Sequence, residues 1–356
     1  MHKNTEYYYK SSLDLLLPVT EISTIEGFGL KLGKNRYYFH DKITPINNTI
    51  SHMIAGNKFC TSSLLAASGL PVPRFTSIDE DEFNAGLLET KIADLTFPLV
   101  AKPTVDSSFG QDVLCNIQNR AQLKKYLHEQ CPLYNLITIE EFHGNLKSYR
   151  VLVFYNKVIG VVLREPGHVV GDGVHTLQEL MDISNERRAL ESDILGPILA
   201  DDECLISLTE LGINLHYIPK INEYVRLYYT CNSSRGGTFI ALGKKICRKN
   251  RQLMIKAAQV LNLGLVGFDV MCEDINKPIE GTRGVIIEAN DKPSIRVHEE
   301  STQGKPTRVT LTIMRSFILR HPFSYMASLF RHSRIGIYLR AIIILILLAI
   351  AFSLIF

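Results

Sequence analysis

A chain of 356 residues, 46% hydrophobic and 21% charged, has room for one large domain or for two or three lobes sharing a cleft, and it holds no low-complexity tract that would argue for disorder. Its net charge of +3 is too small to imply a nucleic-acid partner. Seven scattered cysteines (Cys60, Cys115, Cys131, Cys204, Cys231, Cys247 and Cys272) show no C-x-x-C spacing, which argues against a disulfide scaffold or structural zinc and for a reducing compartment.

Residues 1–10 are polar and tyrosine-rich without an apolar core, so no secretory signal is expected there. The sequons at Asn47 and Asn232 accordingly read as chance. Aromatic runs at 7–9 and 37–39 predict short strands, and glycines at 27, 29 and 33 predict turns: a short N-terminal lobe or one sheet edge over residues 1–50. From Ile54 the pattern turns helical through Phe59, Ser63, Leu64 and Ala67 until Gly69 and Pro71 stop it; Lys58 lies in the first turn. Residues 97–103 read as a buried strand closing on Lys102, ahead of a small-residue loop at 104–110. A lysine ammonium beside loop N–H groups is a candidate phosphate grip. It is not a P-loop, because G-x-x-x-x-G-K-[ST] occurs nowhere in the chain.

Residues 136–142 predict another strand, carrying Glu140 and Glu141. A hairpin of 149–155 and 158–163 is expected next, then a loop at 165–173 in which glycines on both sides of Asp172 demand special backbone angles. Thr176, with Glu179 three residues on, caps a helix. Strand 226–229 leads into a second small-residue loop at 232–237, and residues 249–261 have helical spacing. Two β-branched runs follow, 265–271 and 284–290. Paired as a hairpin, they set Asp269 opposite Glu288, with Asn290 two residues along on the same face. Two carboxylates and an amide oxygen form a hard oxygen site of the kind Mg²⁺ needs when it bridges phosphates.

Residues 341–356 carry no charge, and extending back to 335 predicts a single-pass transmembrane helix, 335–356, after a basic juxtamembrane segment, 316–334. Arg315, Arg320, Arg331, Arg334 and Arg340 stand without an acidic neighbour, the pattern expected of a membrane protein whose body is in the cytoplasm.

The order Lys58, Lys102, Glu140, Arg150, Asp269, Glu288, Asn290 resembles the ATP-grasp fold, and within it the amino-acid ligase domain of cyanophycin synthetases and bifunctional glutathione synthetases. Residues 100–103 match the family's valine-lysine-proline strand, Phe109 and Gly110 its loop tip, and Tyr149 and Arg150 its tyrosine-arginine strand start. Residues 169–176 match its V-V-G-D-G-x-H-T stretch, 232–237 its N-x-S-x-G-G loop, and 295–298 with 304–309 its closing I-x-x-H and G-x-x-x-R-V. The resemblance implies an α+β ATP-grasp domain over residues 51–315, two lobes gripping ATP with Mg²⁺ (or Mn²⁺) on Asp269, Glu288 and Asn290. It implies that Lys58 and Lys102 hold the nucleotide, that Ser107, Ser108, Phe109 and Gly110 cover it, and that Glu140, Glu141 and Phe142 line its adenine and ribose side. Arg150, with Arg226 and Arg235, would hold phosphate or carboxylate. The substrates would be amino acids or small peptides, activated as acyl phosphates and joined to an amine, in a chain that pairs as a homodimer.

Three departures stand against the family pattern. The loop after Lys102 keeps one glycine, Gly110, carries Asp112 where relatives have another, and is one residue longer. About fifty residues precede the grasp region and no Mur-ligase-like module is expected after it, so a complete cyanophycin-type polymerase is not expected. The apolar tail is foreign to the family. His168, His175 and His298 read as structural residues at loop starts. The competing expectation is a membrane-anchored ATP-binding module with little catalysis.

Overall fold

The computed structural model describes residues 1–105, 112–144, 146–301, 303–332 and 334–355. They divide into two compact units, one of Met1–Pro45, Ser294–Glu299 and Arg308–Phe356, the other of Ile46–Pro293 and Glu300–Thr307.

In the first unit, strands β1 (Val19–Ile22), β2 (Gly27–Leu32) and β3 (Asn35–Phe39) form an antiparallel sheet in that order. The β2–β3 hairpin turns through Gly33, whose φ of +65° suits glycine. Phe28 and Phe39 stack at 4.7 Å, with Tyr8 and Phe317 against Phe39. Tyr8 comes from a helix, Lys3–Asp14, where a strand was expected at 7–9. The helix buries Asn4, Thr5, Tyr8, Ser11 and Ser12, a stripe at helical spacing that hydropathy hides because most of its members are small and polar. Ser11 and Thr310 hydroxyls close that interface at 2.8 Å.

In the second unit, β4 (Phe75–Ile78), β5 (Leu99–Pro103), β6 (Leu114–Ile117) and β7 (Ile137–Glu141) build a smaller antiparallel sheet in the order β4-β7-β5-β6. Strand alternation divides its residues. Leu99, Ala101, Ile137 and Ile139 pack on Leu123 and Leu127 of the helix Arg120–Gln130, while Lys102 and Glu140 fall on the opposite face.

A larger sheet contains β8 (Lys147–Phe154), β9 (Lys157–Glu165), β12 (Thr238–Leu242), β13 (Leu265–Cys272), β14 (Val285–Asn290) and β15 (Gln303–Lys305), in the order β14-β13-β8-β9-β12-β15. One face, with Val151, Val153, Phe268 and Val270, packs on Leu253, Met254 and Ala257 of the helix Arg248–Val260 to form the main core. Each such side chain contributes about 1.5–3 kcal/mol by leaving water. The other face carries the charged residues. Between β9 and β12 lies a small lobe, in which β10 (His168–Val170) pairs with β11 (Tyr224–Arg226) and packs on helices Leu177–Glu191 and Asp202–Glu210. The first of these has the expected capping box: Thr176 accepts from the Glu179 amide, and Glu179 from the Thr176 amide at 2.8 Å.

The expected single span at 335–356 is not matched: among the described residues no single helix is long and apolar enough to cross a membrane. Arg334 and Arg340 cut the uncharged run to 341–355, about 22 Å of helix against roughly 30 Å of hydrocarbon. By length and composition only, Pro322–Arg331 and Gly336–Phe352 pass together, bent by 76°.

Candidate active site

The centre of the site is the β13–β14 hairpin. Asp269 stands directly opposite Glu288, and Gly267 opposite Asn290, as the sequence pattern required. A register shift after Asp269 leaves Ile287 as an extra residue in β14, so that Glu288 keeps its place on the charged face while Ile286 returns to the core. Gly267 is needed here: a Cβ would come within 2.9 Å of the Arg150 side chain.

On the other side of β13, Asp269 faces Arg150 of β8. The guanidinium grips the carboxylate through both oxygens, Nε to Oδ1 and Nη2 to Oδ2, the latter at 3.1 Å. Arg164 of β9 adds a third contact, Nη2 to Oδ2 at 2.9 Å, and also bonds the Ser148 hydroxyl. Burial alone would raise the Asp269 pKa; the two guanidiniums outweigh it and hold the carboxyl below the ordinary aspartate value. Arg164 was missed in the sequence. Hairpin register gives the signal: Val162 pairs with Arg150, so Arg164, two residues on, shares its face.

On the smaller sheet, Lys102 Nζ and Glu140 Oε1 form a buried pair at 2.5 Å. Burial would lower the lysine pKa, but Glu140, followed by Glu288 and Cys115, holds it above the ordinary value. Glu288 of the larger sheet is therefore one of the charges that act on the Lys102 ammonium. No described residue ion-pairs or hydrogen-bonds with the Glu288 carboxylate. Lys58 opens the helix Lys58–Ala67 and donates its backbone N–H to Thr104, two residues beyond Lys102, at 3.0 Å. Asn290 Nδ2 rests on the Gly267 carbonyl at 3.4 Å, which leaves its amide oxygen for another partner.

The two glutamates expected on the nucleoside side separate. Glu140 is on the Lys102 face; Glu141 is on the opposite face, tied to the Thr96 amide at 3.0 Å and to Arg74 at 2.9 Å. Phe142 meets Tyr229 edge-on at 5.4 Å. Ser107, Ser108, Phe109 and Gly110 lie outside the described residues.

The arginines of the small lobe also part company. Arg235 pairs with Asp201 at 2.5 Å and Glu203 at 3.0 Å and lies over the Tyr228 ring, so its guanidinium is committed to holding the lobe rather than free for a substrate. Arg226 lies over the Tyr229 ring at 4.1 Å, and its buried Nε has no hydrogen-bond partner among the described residues. A desolvated donor in that position is an anion-binding group in waiting. The loop 232–237 is held by Arg188, which donates to the carbonyls of Gly196, Ser233 and Gly237. His168 stacks on Tyr224, His175 bonds Asp172 at 2.6 Å, and His298 is buried in the other unit.

Among the described residues no three His, Cys, Asp or Glu side chains converge as a metal cage of their own. Glu288 and the Asn290 amide oxygen are the hard donors without a guanidinium on them, and Asp269 opposite Glu288 could join them only by giving up a contact to Arg150 or Arg164. That fits a small divalent cation which takes one or two carboxylates and completes its shell with water and phosphate oxygens.

No family model matches the chain. It is 33% identical over 267 residues to the cyanophycin synthetase of Crocosphaera subtropica, covering 73% of this chain and 30% of the relative. It is 27% identical over 294 residues to the bifunctional glutathione biosynthesis protein GshAB of Mannheimia succiniciproducens, covering 78% and 37%. The chain thus spans about a third of the length of the curated relatives it matches. Its fold is that of the bifunctional glutathione synthetase from Pasteurella multocida, with a TM-score of 0.63, 24% identity, and coverage of 90% of this chain and 44% of that one. On these likenesses the chain belongs to the ATP-grasp ligase superfamily.

Proposed function

We propose that the protein is an ATP-dependent ligase that joins an amino acid or small peptide, through its carboxylate, to an amine, releasing ADP and phosphate. The observation that carries this reading is the pairing of Lys102 with Glu140 on one sheet and of Asp269 with Glu288 across two strands of the other, with the Glu288 charge acting on Lys102. A triphosphate fits between an ammonium and paired carboxylates only with a bridging cation; Mg²⁺ or Mn²⁺ held by Asp269, Glu288 and Asn290 would neutralise the β- and γ-phosphates.

The substrate carboxylate oxygen attacks the γ-phosphorus as the bond to ADP breaks, giving an acyl phosphate. The amine nitrogen then attacks the acyl carbon, phosphate leaves and the nitrogen gives up a proton. Lys102 holds the transferring phosphate. Arg150 and Arg164 set the Asp269 carboxylate and concentrate positive charge where the phosphoryl oxygens gather. Arg226, with its unpaired Nε, binds the substrate carboxylate or the acyl phosphate. Positioning and charge neutralisation supply most of the rate in phosphoryl transfer, in keeping with a site that needs no nucleophilic side chain.

An ADP-release assay over a panel of amino acids and amines tests this. Stimulation by one acid–amine pair supports the ligase; ATP binding without stimulation by any pair would make the protein an ATP-binding module. We also infer attachment to the cytoplasmic face of a membrane through the C-terminal helices. It is supported by the exposed apolar side chains of Ile342, Leu345 and Leu348 and by the absence of any acidic residue after Glu300 in the sequence. Light scattering in detergent reads whether the chain pairs.

A further inference from the structure

The helix Pro322–His332 has two unlike edges. Its inner edge is seated on its own unit: the Tyr325 hydroxyl donates to the Leu15 carbonyl at 2.8 Å, and the Ser324 hydroxyl lies 2.7 Å from where a Cβ on Gly33 would stand. Its outer edge is Phe323, Met326 and Phe330, at spacings of three and four, with Leu319 a turn earlier at the end of the preceding helix. Phe323 is 89% exposed, Leu319 80% and Met326 61%. Phe323 and Met326 thus present large apolar side chains to solvent on one edge, which Phe330, 40% exposed under the Arg340 guanidinium, continues. Such a stripe marks a surface that something covers.

The charge around it says what. Arg331 on this helix and Arg315 and Arg320 on the preceding one are all exposed, and from Ser301 to the end the sequence has no aspartate or glutamate. The next helix starts against this one backbone to backbone: a Cβ on Gly336 would come within 2.3 Å of the Leu329 and Phe330 carbonyls. It then leaves at 76°. A helix with an apolar edge, set among arginines of its own and of the preceding helix, lies in the plane of a membrane interface, and a helix bent away from it can enter the hydrocarbon. A second copy would set arginine against arginine, and a neutral bilayer would gain nothing from them.

We infer that the helix Pro322–His332 is an in-plane foot that binds a bilayer surface bearing anionic headgroups, with Phe323 and Met326 below the headgroups and Arg315, Arg320 and Arg331 among them. This rests on the membrane attachment proposed above and specifies its lipid. Each arginine near such a surface is worth about 1 kcal/mol, so the three together amount to roughly a hundredfold in partitioning.

The chain contains no tryptophan, so Phe323→Trp supplies a single probe in the full-length protein. On vesicles of phosphatidylcholine with phosphatidylglycerol, its emission is expected to shift to the blue and to be quenched by lipids brominated near the headgroup. Pure phosphatidylcholine should leave it water-like, and replacing the three arginines by glutamine should weaken partitioning roughly a hundredfold. Equal shifts on neutral and anionic vesicles would overturn the inference. So would flotation with a water-like probe, which leaves the attachment standing through the last helix alone. No flotation on either vesicle would remove both. A concentration-dependent blue shift without vesicles would show that another copy covers the stripe, and would likewise overturn it.

Discussion

The charged face of the larger sheet and the small lobe of β10 and β11 both carry arginines, and they use them differently. On the sheet, Arg150 and Arg164 converge on one carboxylate, Asp269, directly opposite Glu288. In the lobe, Arg188 and Arg235 are committed to backbone carbonyls and to acids that hold the lobe together, and Arg226 alone of these three has a buried nitrogen without a partner. Arg150, Arg164 and Arg235 all meet protein carboxylates; what differs is that the sheet pair shares one carboxylate opposite Glu288, while Arg235 ties two acids of its own lobe.

Four experiments sharpen or break that contrast. Glu288→Gln keeps the shape and removes one charge, and is expected to lower amine-dependent ADP release by about a thousandfold, at the upper end of what one electrostatic group supplies. Its melting temperature should stay that of the parent, since no described residue pairs with the carboxylate. An unchanged rate would place the cation elsewhere. Lys102→Met leaves Glu140 buried and unpaired, so unfolding in urea should show a loss of about 3–5 kcal/mol. The double variant with Glu140→Gln should recover most of that stability without recovering ATP affinity. If both return together, Lys102 is a structural residue.

Arg226→Gln and Arg235→Gln then test the lobe directly. The first should reduce turnover by about a hundredfold with little change in melting, the second should lower Tm by about 2–4 °C while each folded molecule keeps its rate. The reverse pattern would exchange their roles. The smallest effect concerns His175, whose pKa is raised first by its hydrogen bond to Asp172 and then by that carboxylate's charge. A raised histidine pKa gives stability that is complete below the unfolded value, near 6.5, and is lost as pH rises through the folded one. Asp172 is held far below the ordinary carboxylate range by the same bonds, so its share is lost only in strong acid. NMR titration should give His175 a midpoint above the usual imidazole value, returning to it in Asp172→Asn.

Much of the larger sheet was legible in the sequence because β-branched runs of period two fix which residues share a face; Asp269 opposite Glu288 follows from that and a hairpin. Arg164 was not, because its strand runs beyond the apolar residues that marked it, and only the pairing with Ser148 shows its side. The helix Lys3–Asp14 was hidden by a buried stripe of Asn, Thr and Ser. Arg235 had the right motif but neighbours, Asp201 and Glu203, more than thirty residues away in the chain, and such pairings leave no local pattern. The apolar tail read as one span because its composition is apolar and its helix continuous, but Arg334 and Arg340 shorten the uncharged run below the thickness of a bilayer core.

The most direct test of the proposed nucleotide site is calorimetric titration of ATP into the parent, Glu288→Gln and Lys102→Met proteins, each with and without Mg²⁺. Mg²⁺ should tighten ATP binding to the parent, give no gain in Glu288→Gln, and leave Lys102→Met weak in both conditions. An undiminished Mg²⁺-dependent gain in both variants would contradict a nucleotide bridged between Lys102 and the Asp269–Glu288 pair.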